Sequence, residues 1–172
     1  EPKPPTNIHY IDAQTNPVHL DQVTVEDIDR LWDLARSDAE GVKAFLGHVF
    51  ANSRELFSYV QRVAEQERAQ NAAFYAIREG DTLIGFVLLS PIYREAGKPP
   101  VGTTHIYLTP DARGRLQQVL PTLMSEADRL APGMNLCVIT QRTEWAAMLQ
   151  SVGFTSQFVL TRTAPVQGAT HG

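Results

Sequence analysis

The sequence predicts an α/β fold with a mixed central sheet flanked by helices, in which the early strands are antiparallel and a parallel crossover comes late. Three observations support this prediction. The 172 residues are 43% hydrophobic, which suffices for one sizeable core. Apolar residues recur at helical spacing in some stretches and alternate or run together as in strands in others. The resulting order, β-α-α-β-β-β-α-β-α-β, is typical of helices packed against one sheet.

The first predicted elements are a strand and two helical stretches. Residues 18–23 alternate apolar and polar side chains like a half-buried strand. Thr24 and Asp27 follow as a near match to a capping box, which predicts the start of a helix. Residues 38–70 carry apolar residues every three or four positions, so they are helical as well. A break interrupts this stretch just before Ser53, which is expected to cap the second piece.

A hairpin and a third strand come next. Two β-rich runs flank Gly80, which suits a tight turn because glycine readily takes a positive φ. Pro91 is expected to stop the second run, since proline cannot donate to a sheet ladder. The segment GTTHIYL, residues 102–108, then predicts a further strand.

A long amphipathic helix is predicted to start near Leu116 or Gln117. One helical face carries an apolar stripe made of Leu116, Val119, Leu120, Leu123, Met124, Ala127 and Leu130. Pro121 falls at the end of the first turn or just inside the helix, so we expect that turn to be distorted. Pro132 and Gly133 end the helix.

The last predicted elements are a strand, a short helix and a closing strand. Residues 135–140, NLCVIT, are apolar and branched, which predicts a strand buried on both faces. Within it, we expect Cys137 to pack as a small hydrophobic residue rather than to act as a nucleophile. A short helix ends at Gly153, a suitable left-handed cap, and residues 154–163 close the sheet.

Composition and charge narrow the class of protein. A net charge of -4 disfavours a protein that binds nucleic acid through its phosphates. No apolar run approaches the roughly 18 residues of a membrane span. We therefore expect a cytoplasmic protein that binds neither nucleic acid nor membranes. Its predicted organisation is an extended tail over residues 1–16, a single domain over residues 17–163 and a flexible tail over residues 164–172.

One strand-to-helix junction, residues 107–118, carries a family resemblance. It begins with YLTPDARG, and the phrase LQSVGF precedes the last strand. With the order of elements, these phrases resemble the GNAT superfamily of acyl-CoA N-acyltransferases over residues 18–163. In that family the strand ends in a pattern like V-x-P-x-x-R-G. The matching residues here are Leu108, Pro110, Arg113 and Gly114.

The resemblance implies a GNAT-like fold and a GNAT-type activity. That activity is direct transfer of an acetyl or similar acyl group from acyl-CoA to an amine on a small molecule or a protein. Acetyl-CoA or another acyl-CoA is then the co-substrate, and no metal is needed. Family members often form homodimers, and the oligomeric state of this chain is left open.

The same resemblance implies that the junction holds the diphosphate of coenzyme A. A helix start presents unpaired backbone N–H groups and about half a positive charge, both of which attract a diphosphate. The residues implied are Arg113, Gly114, Arg115, Leu116, Gln117 and Gln118. The family loop, Q/R-x-x-G-x-G/A, has small residues where Leu116 and Gln118 stand. We therefore expect Leu116 to hold the diphosphate away from the backbone, and the arginine and glutamine side chains to reach out in compensation.

The strand before the junction carries the candidate catalytic groups. The resemblance implies that a backbone N–H between Ile106 and Leu108, at a bulge, polarises the thioester carbonyl. His105, with an ordinary pKa near 6.5, is a candidate base, and Tyr107 acting through water is another. Both residues lie on one face of a regular strand. The alternative is that His105 is only a structural residue of the sheet.

Other family positions are filled differently. Many members carry a tyrosine four residues before the glycine of the final Gly-Phe pair, where it protonates the departing thiolate. Leu149 stands there and cannot donate a proton. Arg142 follows the fifth strand, where it either meets the phosphates of coenzyme A or is solvated at the surface. Glu95 and Glu144 are weaker candidates for the base, because their spacing does not place them at the cleft.

Three hypotheses follow. The first is an N-acyltransferase that relies on backbone polarisation and positioning. The second is a GNAT-like module that has lost turnover and serves as a binding or assembly protein, which the substitutions at Leu116, Gln118 and Leu149 favour. The third is an unrelated α/β protein in which the junction is only a loop. Its signature would be a helix that starts at Leu120 or later.

Overall fold

The computed structural model describes residues 17–69, 72–157 and 162. Its contacts group into two compact units, Glu1–Gln141 and Arg142–Gly172. The predicted tails, residues 1–16 and 164–172, lie outside the described residues. The single domain expected over residues 17–163 stays a prediction.

The first unit contains a mixed sheet that confirms the predicted fold class. In the described residues its strands lie in the order β1-β2-β3-β4-β5. They are β1 (Val18–Gln22), β2 (Ala73–Glu79), β3 (Thr82–Tyr93), β4 (Val101–Leu108) and β5 (Asn135–Ile139). The first three pairings are antiparallel, and β4 pairs with β5 in parallel.

Helices cover both faces of this sheet. Between β1 and β2 lie α1 (Val25–Ser37), α2 (Ala39–Leu46) and α3 (Ser53–Arg68). Between β4 and β5, a 3-10 turn (Pro110–Arg115) leads directly into α4 (Leu116–Leu130). Side chains alternate across the strands, so Phe74 and Phe86 share one core with α1, α2 and α3. Leu89 on β3 belongs to a second core, with Ala127 of α4.

The start of α1 is capped as predicted. Thr24 and Asp27 form a capping box, in which each backbone N–H donates to the side chain of the other residue. Arg78 of β2 also donates to Asp27 at 2.6 Å, which ties the helix start to the sheet. Burial alone would raise the pKa of Asp27, but the hydrogen bonds from Arg78 and Thr24 outweigh it and lower that pKa. The carboxylate therefore stays ionised at neutral pH.

The cap of α3 differs from the prediction. Ser53 is the first residue of the helix rather than its cap. The side chain of Asn52 instead accepts a hydrogen bond from the backbone N–H of Glu55, at 3.0 Å. An N-cap residue stands just outside the helix and bonds to an N–H two or three residues ahead, and here Asn52 occupies that place.

The hairpin is confirmed, but Pro91 does not stop its second strand. Gly80 takes the positive φ, 58°, that the turn requires. Strand β3 continues through Pro91, and its register with β4 shifts between Leu89 and Ile92. Proline is tolerated at such a bulge because the ladder of hydrogen bonds is already interrupted there.

Helix α4 follows the predicted stripe with two differences. Most members of the stripe are buried, but Met124 is 50% exposed. The first turn is helical from Leu116, whose φ and ψ are -55° and -39°, although Pro121 lies inside the helix. The irregular geometry lies before it, in the 3-10 turn. Pro121 removes one N–H that would otherwise bond four residues back, and the rest of the helix accommodates this loss.

Strand β5 is not buried on both faces, contrary to the prediction. Its residues alternate between exposed and half-buried, and the thiol-bearing Cys137 is exposed. The physical reason is its position, since β4 is its only strand neighbour among the described residues. Apolar composition did not distinguish an edge strand from a central one.

The second unit is described by itself. It contains α5 (Thr143–Ser151), in which Trp145 and Leu149 are buried. Gly153 follows with a φ of 104°, and Phe154 N–H donates to the carbonyl of Leu149 at 3.0 Å, which confirms the predicted cap. Of the predicted closing strand, residues 154–157 are not in a strand. Residues 158–161 and 163 lie outside the described residues.

Candidate functional site

The candidate site is the strand-to-helix junction and the end of β4 that leads into it. The parallel register between β4 and β5 ends at His105, paired with Ile139. Beyond it, the three residues Ile106 to Leu108 pair with β3 alone among the described strands. We call the β5-facing side of these residues the unpaired edge of β4. Backbone groups along that edge have no strand to bond to in the described part of the chain.

The expected bulge at Ile106 to Leu108 is absent. The register between β3 and β4 runs without a shift from Thr104 to Leu108. The two strands approach closely there. A Cβ added to Gly85 would overlap the carbonyl oxygen of Tyr107. A regular, tightly paired strand needs no extra residue. On that side the backbone instead lacks a strand partner in the described part of the chain, because β5 ends at Ile139.

His105 and Tyr107 share a face of β4, as predicted. Tyr107 belongs to the core beneath α1, α2 and α3, and so does Leu88, the residue directly opposite His105. His105 is half-buried, and burial lowers its pKa below the ordinary value. The imidazole is therefore neutral at pH 7, the state that a base requires.

The Tyr107 hydroxyl is hydrogen-bonded to Asp38. It donates to Oδ2 of that carboxylate at 2.8 Å. Burial, together with this bond to Asp38, raises the pKa of Tyr107 well above its ordinary value. The phenol thus stays protonated and its proton is already engaged, which makes Tyr107 a poor base and a good structural anchor.

Leu116 does not obstruct the junction, contrary to the expectation. Its side chain is only 2% exposed and points into the core. Gly114, Gln117 and Gln118 are the exposed residues around the helix start, and a Cβ on Gly114 would meet nothing within 4 Å. Since α4 begins at Leu116, the third hypothesis, with its helix from Leu120 or later, is wrong.

The arginines of the junction do not reach out as expected. Arg113 donates to the carboxylate of Asp38. Arg115 forms an ion pair with Glu79 at the end of β2, and it donates to Gln118 Oε1 at 2.7 and 2.9 Å. Carboxylates of the chain itself therefore neutralise both guanidinium groups.

Asp38 is the site residue that sequence reasoning missed. It precedes α2 directly, so the sequence marks it as the start of a helical stretch and nothing more. Its partners Tyr107 and Arg113 are 69 and 75 positions away in the chain. No local pattern reports a contact over such separations.

The remaining candidates are Arg142, Glu144 and Glu95. Arg142 belongs to the second unit, where its guanidinium carbon lies 5.5 Å from the centre of the Trp145 ring. It also lies 3.8 Å from the carboxylate of Glu144. Glu95 is paired with Lys98 in an exposed loop, at 3.0 Å. These contacts are local and leave the two glutamates as weak candidates.

Metal sites and membrane spans are two other features that the described residues could contain. No group of three or more His, Cys, Asp or Glu side chains in ranges 17–69 and 72–157 is placed to hold a metal ion. None of the described helices combines the length and apolarity needed to cross a membrane.

Comparison with known proteins supplies structural relatives only. No family model matches the sequence, and no curated protein matches it. Among solved structures, an acetyltransferase from Salmonella typhimurium that modifies the N-terminal serine of ribosomal protein L7/L12 superposes with a TM-score of 0.66, at 16% identity over 81% of each chain. The microcin C7 self-immunity acetyltransferase, in complex with acetyl-CoA and AMP, also has a TM-score of 0.66, at 16% identity over 88% of this chain and 86% of that one.

A third similar structure belongs to a different class of protein. It is a transcriptional regulator from Bacillus halodurans C-125, with a TM-score of 0.55 and 15% identity over 86% of this chain and 99% of that one. At such identities the likeness concerns the fold, and function does not follow from fold. The chain has the fold of the GNAT acyltransferases.

Proposed function

We propose that the protein is an N-acyltransferase that moves an acetyl or similar acyl group from acyl-CoA to an amine by direct transfer. The observation that carries this proposal is the unpaired edge of β4 beside an accessible helix start at Leu116. The edge offers backbone N–H groups to a thioester carbonyl, and the helix start offers them to a diphosphate. Similarity to acetyltransferase structures also supports an acyltransferase function.

The residues at the helix start suit the diphosphate of an acyl-CoA. Helix α4 is 15 residues long, so its start carries the partial positive charge of a full helix. Leu116 is turned inward, and the exposed residues Gly114 and Gln117 leave room above the backbone. Backbone N–H groups are therefore the main diphosphate donors in this proposal. Arg113 and Arg115 contribute less, because carboxylates already neutralise them.

The chemistry requires few side chains. The nitrogen of a neutral amine attacks the thioester carbonyl, whose developing oxyanion accepts hydrogen bonds from the unpaired edge of β4. His105 takes one proton from the amine, a C–N bond forms and the C–S bond to coenzyme A breaks. The sulfur of coenzyme A leaves as the thiolate. The acceptor is an amine of a small molecule or a protein.

A second candidate function is a GNAT-like module that binds a partner without turnover. The observation that favours it is the pairing of Arg113 and Arg115 with carboxylates, which lowers the positive charge available to a donor. One similar structure is moreover that of a transcriptional regulator.

Titration of the protein with acetyl-CoA and with coenzyme A separates the two functions. We expect heat of binding and a dissociation constant in the micromolar range. Ligand at about a hundred times that constant should add roughly 2.7 kcal/mol to the free energy of unfolding, seen as a rise in melting temperature. No heat and no thermal shift at millimolar ligand would reject the acyltransferase and leave the binding module.

Replacing His105 with glutamine tests the proposed base. We expect kcat to fall by about 10²–10⁴-fold, the usual contribution of a positioned base, while the affinity for acetyl-CoA is retained. Because burial lowers the pKa of His105, protonation of this residue should reduce the wild-type rate only below pH 6.5.

A matched control is His19→Gln, since His19 is partly exposed on β1 and lies 3.2 Å from the carboxylate of Asp21. It should leave both kcat and the pH profile unchanged. An unchanged kcat in the His105 variant would show that His105 is a structural residue.

A further inference from the structure

We propose that Asp38 is a positioning residue, which holds the strand-to-helix junction in place for the donor diphosphate by binding Tyr107 and Arg113. This inference rests on the proposed function, because it assumes that the junction binds the diphosphate of acyl-CoA. The contacts of Asp38 with Tyr107 and Arg113, which we call the anchor, are a property of the free protein and can be measured without ligand.

The first support is the geometry of the carboxylate. Asp38 Oδ2 accepts hydrogen bonds from the Tyr107 hydroxyl and from the Arg113 guanidinium. The three residues come from three elements, namely the N-terminal end of α2, strand β4 and the 3-10 turn. One oxygen atom therefore joins the helical layer to both sides of the junction.

The second support is burial. Tyr107 is 3% exposed, and the side chains of Asp38 and Arg113 are 16% and 26% exposed. A hydrogen bond between charged groups is stronger than a neutral one, and little water is present to compete with it here. Removal of either partner leaves the other charge poorly solvated. These groups should therefore behave as one unit.

The third support is Gly41, in the first turn of α2. A Cβ at this position would overlap the Asp38 carboxylate and lie 2.8 Å from the Arg113 guanidinium. Glycine is otherwise unfavourable inside a helix by up to about 1 kcal/mol relative to alanine. Alanine at this position would therefore require the Asp38 carboxylate or the Arg113 guanidinium to shift.

The anchor acts on the backbone donors. Arg113 lies three residues before Leu116, where α4 begins, so the pair constrains the turn that presents the N–H groups of the helix start. Thr109 N–H donates to the carbonyl of Ile84 at 2.9 Å and constrains the other end of the same turn. Donors held in place before binding lose less entropy when the diphosphate arrives.

Hydrogen exchange on the free protein is the first test. We expect faster amide exchange over residues 113–118 in Asp38→Asn and Tyr107→Phe, with wild-type exchange in β2 and β3. Gly41→Ala should also speed exchange over residues 113–118, because its Cβ displaces the Asp38 carboxylate or the Arg113 guanidinium. Wild-type exchange in Asp38→Asn and Tyr107→Phe would overturn the anchor.

A double-mutant cycle with coenzyme A as the probe is the second test. If Arg113 acts through Asp38, then Asp38→Ala and Arg113→Ala should each weaken coenzyme A binding at least about tenfold, and the double variant should be no weaker than the worse single one. If Arg113 is a direct diphosphate ligand, Asp38→Ala should leave affinity unchanged or improve it, and the proposal is wrong.

The controls separate this inference from the proposed function. Arg54→Ala, at an exposed arginine in α3, should leave exchange over residues 113–118 unchanged. If the wild type binds no coenzyme A, the proposed acyltransferase function is rejected. The hydrogen-exchange results still decide whether Asp38 anchors the junction.

Discussion

Replacing Leu116 with alanine is expected to lower the free energy of unfolding by about 2–5 kcal/mol, the usual range for a buried leucine. Leu116 is 2% exposed at the first position of α4, so the change leaves a cavity beneath the helix start. Urea denaturation followed by circular dichroism measures the loss. The matched control is Met124→Ala in the same helix, which should cost much less because Met124 is 50% exposed. Equal losses in the two variants would show that Leu116 does not pack in the core.

This result bears on how the junction can be tested. Family resemblance alone suggests that glycine at position 116 would restore a loop that binds coenzyme A. The structure predicts the opposite outcome, because Leu116→Gly removes a buried side chain and adds about 1 kcal/mol of helix penalty. A loss of coenzyme A binding in that variant would reflect an unstable α4 rather than a direct contact.

Replacing Gln117 with glutamate is expected to weaken coenzyme A binding by about tenfold or more. Gln117 is exposed at the second position of α4, beside the proposed diphosphate site. A carboxylate there repels the diphosphate, and unit charges about 4 Å apart interact by roughly 1–4 kcal/mol near a protein surface. The same carboxylate suits the positive end of the helix dipole, so stability should be unchanged or slightly raised.

Gln117→Lys should have the opposite effects, with tighter binding of coenzyme A and a slightly less stable helix. Titration calorimetry and thermal melts on both variants measure the two opposed changes. Gln22→Glu, an exposed position on β1, controls for the change in net charge alone. Equal dissociation constants for the glutamate and lysine variants at position 117 would place the diphosphate away from the start of α4.

Local signals predicted the elements that depend on local contacts. Thr24 and Asp27 lie three residues apart, and the box that they form involves only each other's backbone. The start of α4 at Leu116 followed from a stripe of apolar residues at helical spacing. The shared face of His105 and Tyr107 followed from the alternation of side chains along a strand.

Predictions failed where a neighbour decided the outcome. Pro91 remains in β3 because a bulge against β4 accommodates it. Cys137 is exposed because β5 lies at the edge of the described sheet, and its apolar sequence does not encode that position. Leu116 looked like an obstacle to a diphosphate, but the direction of its side chain depends on the core beneath α4.

The sequence by itself determined the class of fold and most of its elements, because periodicity and caps act over a few residues. The junction where a donor is proposed to bind came from the family resemblance. Only the tertiary structure decided that Asp38 joins Tyr107 and Arg113, and that Glu79 pairs with Arg115. Contacts between residues far apart in the chain form when helices pack on the sheet, and no short pattern of residues records which charges that packing brings together.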